Sequence, residues 1–207
     1  MMLHIHPQNP QPRFISQAAE VLKKGGVIIY PTDTIYGLGC DIFNTDAIER
    51  ICRIKQINPQ KAQLTFVCRD LSHLSDYAKA ISTPTFRLLK KALPGPLTFS
   101  LEASRQVPKL LKSKKDTVGI RVPDNKIALA LIEELDHPIM SVSLPMDGDV
   151  AYYTDPEQMQ ERFGKLVDLV IDGGPGNIVP STVVDCTSPE PQLIREGAGD
   201  FEELLNG

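Results

Sequence analysis

Residues 31–39, Pro-Thr-Asp-Thr-Ile-Tyr-Gly-Leu-Gly, put two hydroxyls, a carboxylate and a phenol within six positions. A site for a small polar metabolite wants such a row, because each buried hydroxyl rejects analogues that leave it unpaired. The same run also reads as a rigid turn, with Asp33 bonding local N–H groups and Gly37 and Gly39 at positive φ. Arg121, within Gly-Ile-Arg-Val-Pro at 119–123, is a guanidinium inside an apolar strand. Pointing inward it needs a carboxylate or phosphate partner; pointing outward it is a surface charge. Ser141 and Ser143 alternate, so a strand puts both hydroxyls on one face. Ser181 and Thr182 lead into the apolar Val183-Val184, and Arg195 ends a later apolar pair. Lys55 closes a segment bearing Arg50 and Arg53, with Lys61 six residues on; such cations hold phosphates or simply offset a helix dipole. Singly, each is an ordinary polar residue of a turn or helix end. Jointly they recur at strand ends, where open α/β sheets bind ligands. The phosphate loop G-x-x-x-x-G-K-[ST] and the nucleophile elbow G-x-S-x-G are absent, and Gly173-Gly174-Pro175-Gly176 reads as a turn.

Placing these groups requires alternating strands and helices. Apolar periodicity predicts a helix over 13–24, with Ile15, Ala18, Ala19 and Leu22 on one face and Gly25-Gly26 as its stop. A buried strand follows at 27–30, then a turn-rich stretch, a helix from Asn44 or Thr45 to Lys55, and a strand at 64–68. Helices are expected near 70–79, 83–92 and 106–112, with strands at 97–101 and 118–122. Asp124 can cap a helix over 127–135, a strand follows at 139–143, and Asp155 before Pro156 starts another helix. The tail supplies strands near 167–172, 182–186 and 192–195, and a helix near 200–205. This alternation gives an α/β class, one domain over 1–207 whose open mixed sheet is flanked by helices.

A chain of 207 residues suffices for one sizeable core. Its 42% hydrophobic and 23% charged residues exclude a disordered or fibrous class. The longest apolar runs fall far short of the ~20 residues of a membrane span, and Met-Met-Leu-His-Ile-His-Pro lacks the pattern of a secretion signal, so a cytoplasmic location away from membranes is expected. Cys40, Cys52, Cys68 and Cys186 are irregularly spaced and read as buried reduced thiols. His4 and His6 alternate as in an N-terminal strand, and no metal site is expected. The net charge of -4 is uneven: residues 1–146 hold 19 Lys and Arg against 13 Asp and Glu, and residues 147–207 hold 3 against 13. The basic portion includes Lys90, Lys91, Lys109, Lys112, Lys114 and Lys115, which read as a solvated loop or as a face for RNA or a nucleotide.

The ordered set P-T-D-T-I-Y-G-L-G at 31–39, K-Q-I at 55–57, P-G-P-L-T at 94–98, G-I-R-V-P at 119–123, S-V-S at 141–143, P-S-T-V-V-D at 180–185 and R-E-G at 195–197 resembles the YrdC/YciO family. H-I-H-P-Q-N-P at 4–10, E-R-I-C-R-I-K-Q at 49–56 and C-R-D-L-S at 68–72 are similar to its YciO branch. The resemblance implies a twisted sheet with a concave, positively charged face. It further implies an enzyme that joins L-threonine, bicarbonate and ATP into threonylcarbamoyl-adenylate with release of pyrophosphate, the first step in making threonylcarbamoyladenosine in tRNA. Carried over by position, Thr32 and the hydroxyls of Ser181 or Thr182 would hold threonine and Arg121 would clamp its carboxylate. Lys55 would neutralise the ATP phosphates, Ser141 and Ser143 would hold the nucleotide, and Arg195 would bind near the adenylate. Mg²⁺ would arrive with ATP and need no protein cage, with no tightly bound cofactor.

Two departures bear on rate. The synthase branch has K-x-R where this chain reads Lys55-Gln56-Ile57, and S-x-N where it reads Ser141-Val142-Ser143. Losing one phosphate cation in a water-excluded site costs about 2–4 kcal/mol, roughly 30- to 1000-fold in rate, so weak or divergent activity is expected unless Lys61 substitutes. One alternative is a module that binds double-stranded RNA or tRNA through phosphates and shape, since aromatics are 6% and Trp is absent. Another is a related ATP-dependent carbamoylation or adenylation of a different substrate.

Overall fold

The structure, a computed structural model, describes residues 1–58, 64–111, 116–145 and 151–206. Within them ten strands form one sheet: β1 (Met2–His4), β2 (Ile28–Tyr30), β3 (Gly37–Asp41), β4 (Thr65–Val67), β5 (Leu97–Glu102), β6 (Thr117–Arg121), β7 (Ile139–Ser143), β8 (Leu169–Asp172), β9 (Thr182–Asp185) and β10 (Gln192–Arg195). Their order is β1-β8-β2-β3-β7-β4-β6-β5-β9-β10. The pairs β1–β8, β8–β2, β4–β6 and β5–β9 are parallel; the others are antiparallel. The sheet is therefore the open, mixed, helix-flanked sheet expected.

Strand alternation divides the sheet between two apolar layers. One face carries Ile29, Leu38, Phe66, Phe99, Val118, Ile120, Met140 and Val184. It packs on α2 (Thr45–Lys55), α3 (Leu71–Tyr77), α4 (Thr83–Ala92), α7 (Pro156–Phe163) and α8 (Phe201–Asn206), whose buried residues include Ile48, Leu74, Leu89, Met159 and Leu204. The opposite face packs Ile28, Tyr30, Ile139, Leu169 and Ile171 on α1 (Pro12–Lys23) and α5 (Lys126–Leu135), through Ala18, Leu22, Ala128 and Leu131. That second layer is shorter: the two helices cover the β1-to-β7 half, and the residues of β4, β6, β5 and β9 that point the same way, Val67 apart, lie outside the apolar cluster.

The sequence expectations differ from the structure at several points. The turn-rich stretch contains a whole central strand, β3, paired with both β2 and β7. Gly37 and Gly39 do not adopt positive φ; among the described glycines only Gly25 and Gly174 do. They are glycines because the Tyr30 ring lies 2.9 and 2.8 Å from where their Cβ atoms would stand. Helix α5 is capped by Asn125 rather than Asp124: the Asn125 side chain accepts from the N–H groups of Ile127 and Ala128. The helix expected at 106–112 is a single 3₁₀ turn, Lys109–Leu111, in the described part, and the short α6 (Ala151–Thr154) was not anticipated. Lys61, Lys112, Lys114 and Lys115 lie outside the described residues. All four cysteines are buried thiols; burial holds the Cys186 thiol up at about 12, out of reach as a thiolate at neutral pH. Among the described residues no helix is long and apolar enough to cross a membrane.

Candidate functional site

Where α1 and α5 stop covering the sheet, its face forms the floor of a cavity of about 790 Å³, a volume suited to a metabolite or nucleotide. Strand register builds that floor. Ser141 pairs with Thr65, Thr65 with Gly119, Gly119 with Ser100, and Ser100 with Asp185. These five residues line the cavity as one lateral row across β7, β4, β6, β5 and β9, small or polar at every step. Alternation that sends Phe66, Ile120, Phe99 and Val184 into the core thus leaves hydroxyls and a carboxylate on the other side.

Arg121 points into this cavity and is 8% exposed. Its partner is a carboxylate of the chain itself: one Nη donates to Asp33 Oδ1 at 2.6 Å and the other to Thr34 Oγ1 at 2.8 Å. Burial lowers the pKa of Arg121, and the Asp33 charge opposes that shift. Asp33 therefore does not bond local N–H groups as the turn reading has it. Thr32 takes that part, its Oγ1 accepting from the Thr34 N–H at 3.0 Å and donating to the Ile35 carbonyl at 2.8 Å. Arg121 Nε and Asp33 Oδ2 are buried without a hydrogen-bond partner among the described residues. Such groups are costly to leave unpaired, and Arg121 itself lines a ligand-sized space.

Around this pair the cavity brings together Thr32, Lys55, Ser141, Ser143, Ser181 and Arg195. Lys55, in the last turn of α2, donates from Nζ to the Leu144 carbonyl at 3.2 Å. Arg50 turns away, to Asp168 at 2.6 Å. Ser181 Oγ shares a hydrogen bond with Thr98 Oγ1 at 2.9 Å, and Arg195 donates to the Ser181 carbonyl at 2.7 Å. Thr182 stands apart. It is fully buried, does not line the cavity, and uses its hydroxyl to close the Gly197–Gly199 turn, accepting from Gly197 N–H and donating to the Gly199 carbonyl. Residue-by-residue reading overlooked Tyr30, Thr65, Thr98, Ser100, Asp185 and Thr187, all lining the same cavity as Thr34. Strand alternation through 98, 100, 119 and 121 was the available signal.

Tyr30 sets the polarity of Ser141. Burial pushes its phenol up to about 12, so it stays protonated, and it donates to Ser141 Oγ at 2.8 Å. Ser141 is left to donate its own proton toward the cavity, the sense that an anionic ligand requires. Tyr30→Phe should cost about 1 kcal/mol near neutral pH, lowering Tm by about 2–4 °C. The folded-state value lies above the usual 10, so the folded form holds the proton more tightly. The stabilisation is complete below pH 10 and is lost as pH climbs through about 12. Urea midpoints of wild type and Tyr30→Phe should therefore converge and cross between those values; a gap that stays constant would contradict the buried donor.

Comparison with known proteins bears on what the cavity takes. Residues 20–197 match the Sua5/YciO/YrdC family model, described as "Telomere recombination". The chain is 48% identical over 203 residues to YciO of Escherichia coli (strain K12), covering 98% of both, and it superposes on the crystal structure of E. coli YciO with a TM-score of 0.92 over 99% of this chain and 98% of that one. It is 35% identical over 188 residues to a threonylcarbamoyl-AMP synthase of Pyrococcus abyssi, covering 90% of this chain and 55% of the relative. The crystal structure of P. abyssi Sua5 complexed with L-threonine matches with a TM-score of 0.87 at 31% identity, over 99% of this chain and 59% of that one. With the matched region spanning most of the sequence and all seven of the motifs that line or close the cavity, the chain belongs to the Sua5/YciO/YrdC family.

Proposed function

We propose that this protein forms threonylcarbamoyl-adenylate from L-threonine, bicarbonate and ATP, more slowly than its relatives with a complete K-x-R motif. The observation that supports this best is the convergence of Thr32, Lys55, Arg121, Ser141, Ser181 and Arg195, drawn from six parts of the sequence, on one cavity. In this reading the threonine carboxylate docks on Arg121, whose guanidinium is already aimed by Asp33 and Thr34. The threonine amine and bicarbonate give a carbamate with loss of water. A carbamate oxygen then attacks the α-phosphorus of ATP and pyrophosphate leaves. Negative charge grows on the phosphoryl oxygens, and Lys55, Arg195 and the Ser141 donor stabilise it more as it develops than at the start. Mg²⁺ would enter on the triphosphate, which supplies most of its ligands.

The test is pyrophosphate release from ATP with threonine and bicarbonate added singly and together. Release that needs both supports the synthase. Release with another amino acid alone would point to a related adenylation. No release, together with RNA binding that weakens steeply as salt rises, would replace the synthase by the RNA-binding alternative.

A further inference from the structure

Asp185 is the one carboxylate in the floor row, and no part of the proposed reaction uses it. It lines the cavity and forms no ion pair among the described residues. Its Oδ1 accepts from the Thr187 N–H at 2.9 Å and from Thr187 Oγ1 at 2.7 Å. Thr187 thereby spends its only hydroxyl proton and offers lone pairs to the cavity, which it also lines. Ser100, paired with Asp185 across β5 and β9, adds a hydroxyl. This corner accepts hydrogen bonds and carries negative charge, so it selects a ligand end rich in donors and free of phosphate.

The opposite wall has the reverse character. Lys55 is anchored at the end of β7 through the Leu144 carbonyl, and Ser141 donates from β7 itself. From β7 to β9 the sheet crosses four strand spacings, about 19 Å, a span on the scale of an extended nucleoside triphosphate. Asp185 repels phosphate and forms no ion pair with Arg195, which on the neighbouring β10 is held to the Ser181 carbonyl. A nucleotide in this cavity therefore lies with its β- and γ-phosphates toward Lys55, its α-phosphate between Lys55 and Arg195, and its sugar toward Asp185.

We infer that Asp185, with Ser100 and Thr187, is the subsite for the vicinal 2′,3′-diol of a ribonucleotide, and that it selects ribo- over deoxyribonucleotides. This inference rests on the proposed use of ATP. Calorimetric titration of the full chain with ATP, 2′-deoxy-ATP and 3′-deoxy-ATP in the presence of Mg²⁺ tests it. ATP should bind roughly tenfold more tightly than either analogue, the effect of one charge-assisted hydrogen bond. Asp185→Asn keeps an oxygen for Thr187 but loses the charge, and should shrink that ratio to about threefold or less while 2′-deoxy-ATP binds at least as well as before. Equal binding of all three by the wild type, or an unchanged ratio in Asp185→Asn, overturns the subsite and leaves the synthase reading standing. Failure of ATP itself to bind overturns that reading and the subsite with it.

Discussion

Arg121→Ala should lower threonine-dependent pyrophosphate release by about a hundredfold or more, with most of the loss in the apparent affinity for threonine. Arg121 has two duties that the variant removes together. Its side chain is 9% exposed and that of Asp33 12%, with 2.6 Å between the charges. Deleting the guanidinium leaves a buried carboxylate without its cation, which costs about 3–5 kcal/mol and a fall in Tm on the order of 10 °C. It also releases Thr34, and with it the 32–35 turn that carries Thr32. Arg121→Lys separates the two duties. A lysine restores charge beside Asp33 and most of the stability, but it cannot reproduce the planar fork, so turnover should stay at least tenfold below wild type. Wild-type turnover in Arg121→Ala would show that the cavity does not bind its substrate through this residue.

How far the sequence could be read depends on what each segment's neighbours demand. Helices α1, α2 and α7 are readable because caps and apolar spacing are local: Pro12 at the first turn, Asn44 accepting from Ala47, Asp155 accepting from Glu157. β7 carries its periodicity openly, Ile139 and Ser141 on one face and Met140 on the other. β3 could not be read this way. Its glycines look like turn residues, and their reason, the Tyr30 ring laid across them, exists only once β2 and β3 pair. The cavity follows the same division. Arg121 stood out as a charge in an apolar strand, but its partner Asp33 lies 88 positions away and is chosen by topology. Thr65, Ser100 and Asp185 are unremarkable in their own segments and become a floor only through the register of five strands.

Ile57→Arg should raise synthase turnover, by about tenfold at the least and up to the roughly 30- to 1000-fold that one well-placed phosphate cation contributes. The site is prepared for it. α2 ends in a Schellman motif: Gln56 is left-handed at φ 55, its N–H bonds to the Arg53 carbonyl at 3.2 Å, and the Ile57 N–H bonds to the Cys52 carbonyl at 3.0 Å. These backbone bonds fix where the side chain at 57 starts, and they survive its replacement. Ile57 is half-buried, packs against the core and lines the cavity with Lys55. An arginine stem can keep much of that apolar contact while its head group reaches into the cavity, so the loss of stability should stay near 1 kcal/mol. Ile57→Gln carries a polar head without charge and should give no gain, which separates electrostatic help from simple opening of the cavity. A rate in Ile57→Arg equal to wild type, with ATP affinity also unchanged, would mean that the cation at this position is not what limits the chemistry, and the slow turnover would then have to be traced to Ser143, the other position where a hydroxyl stands in place of an amide.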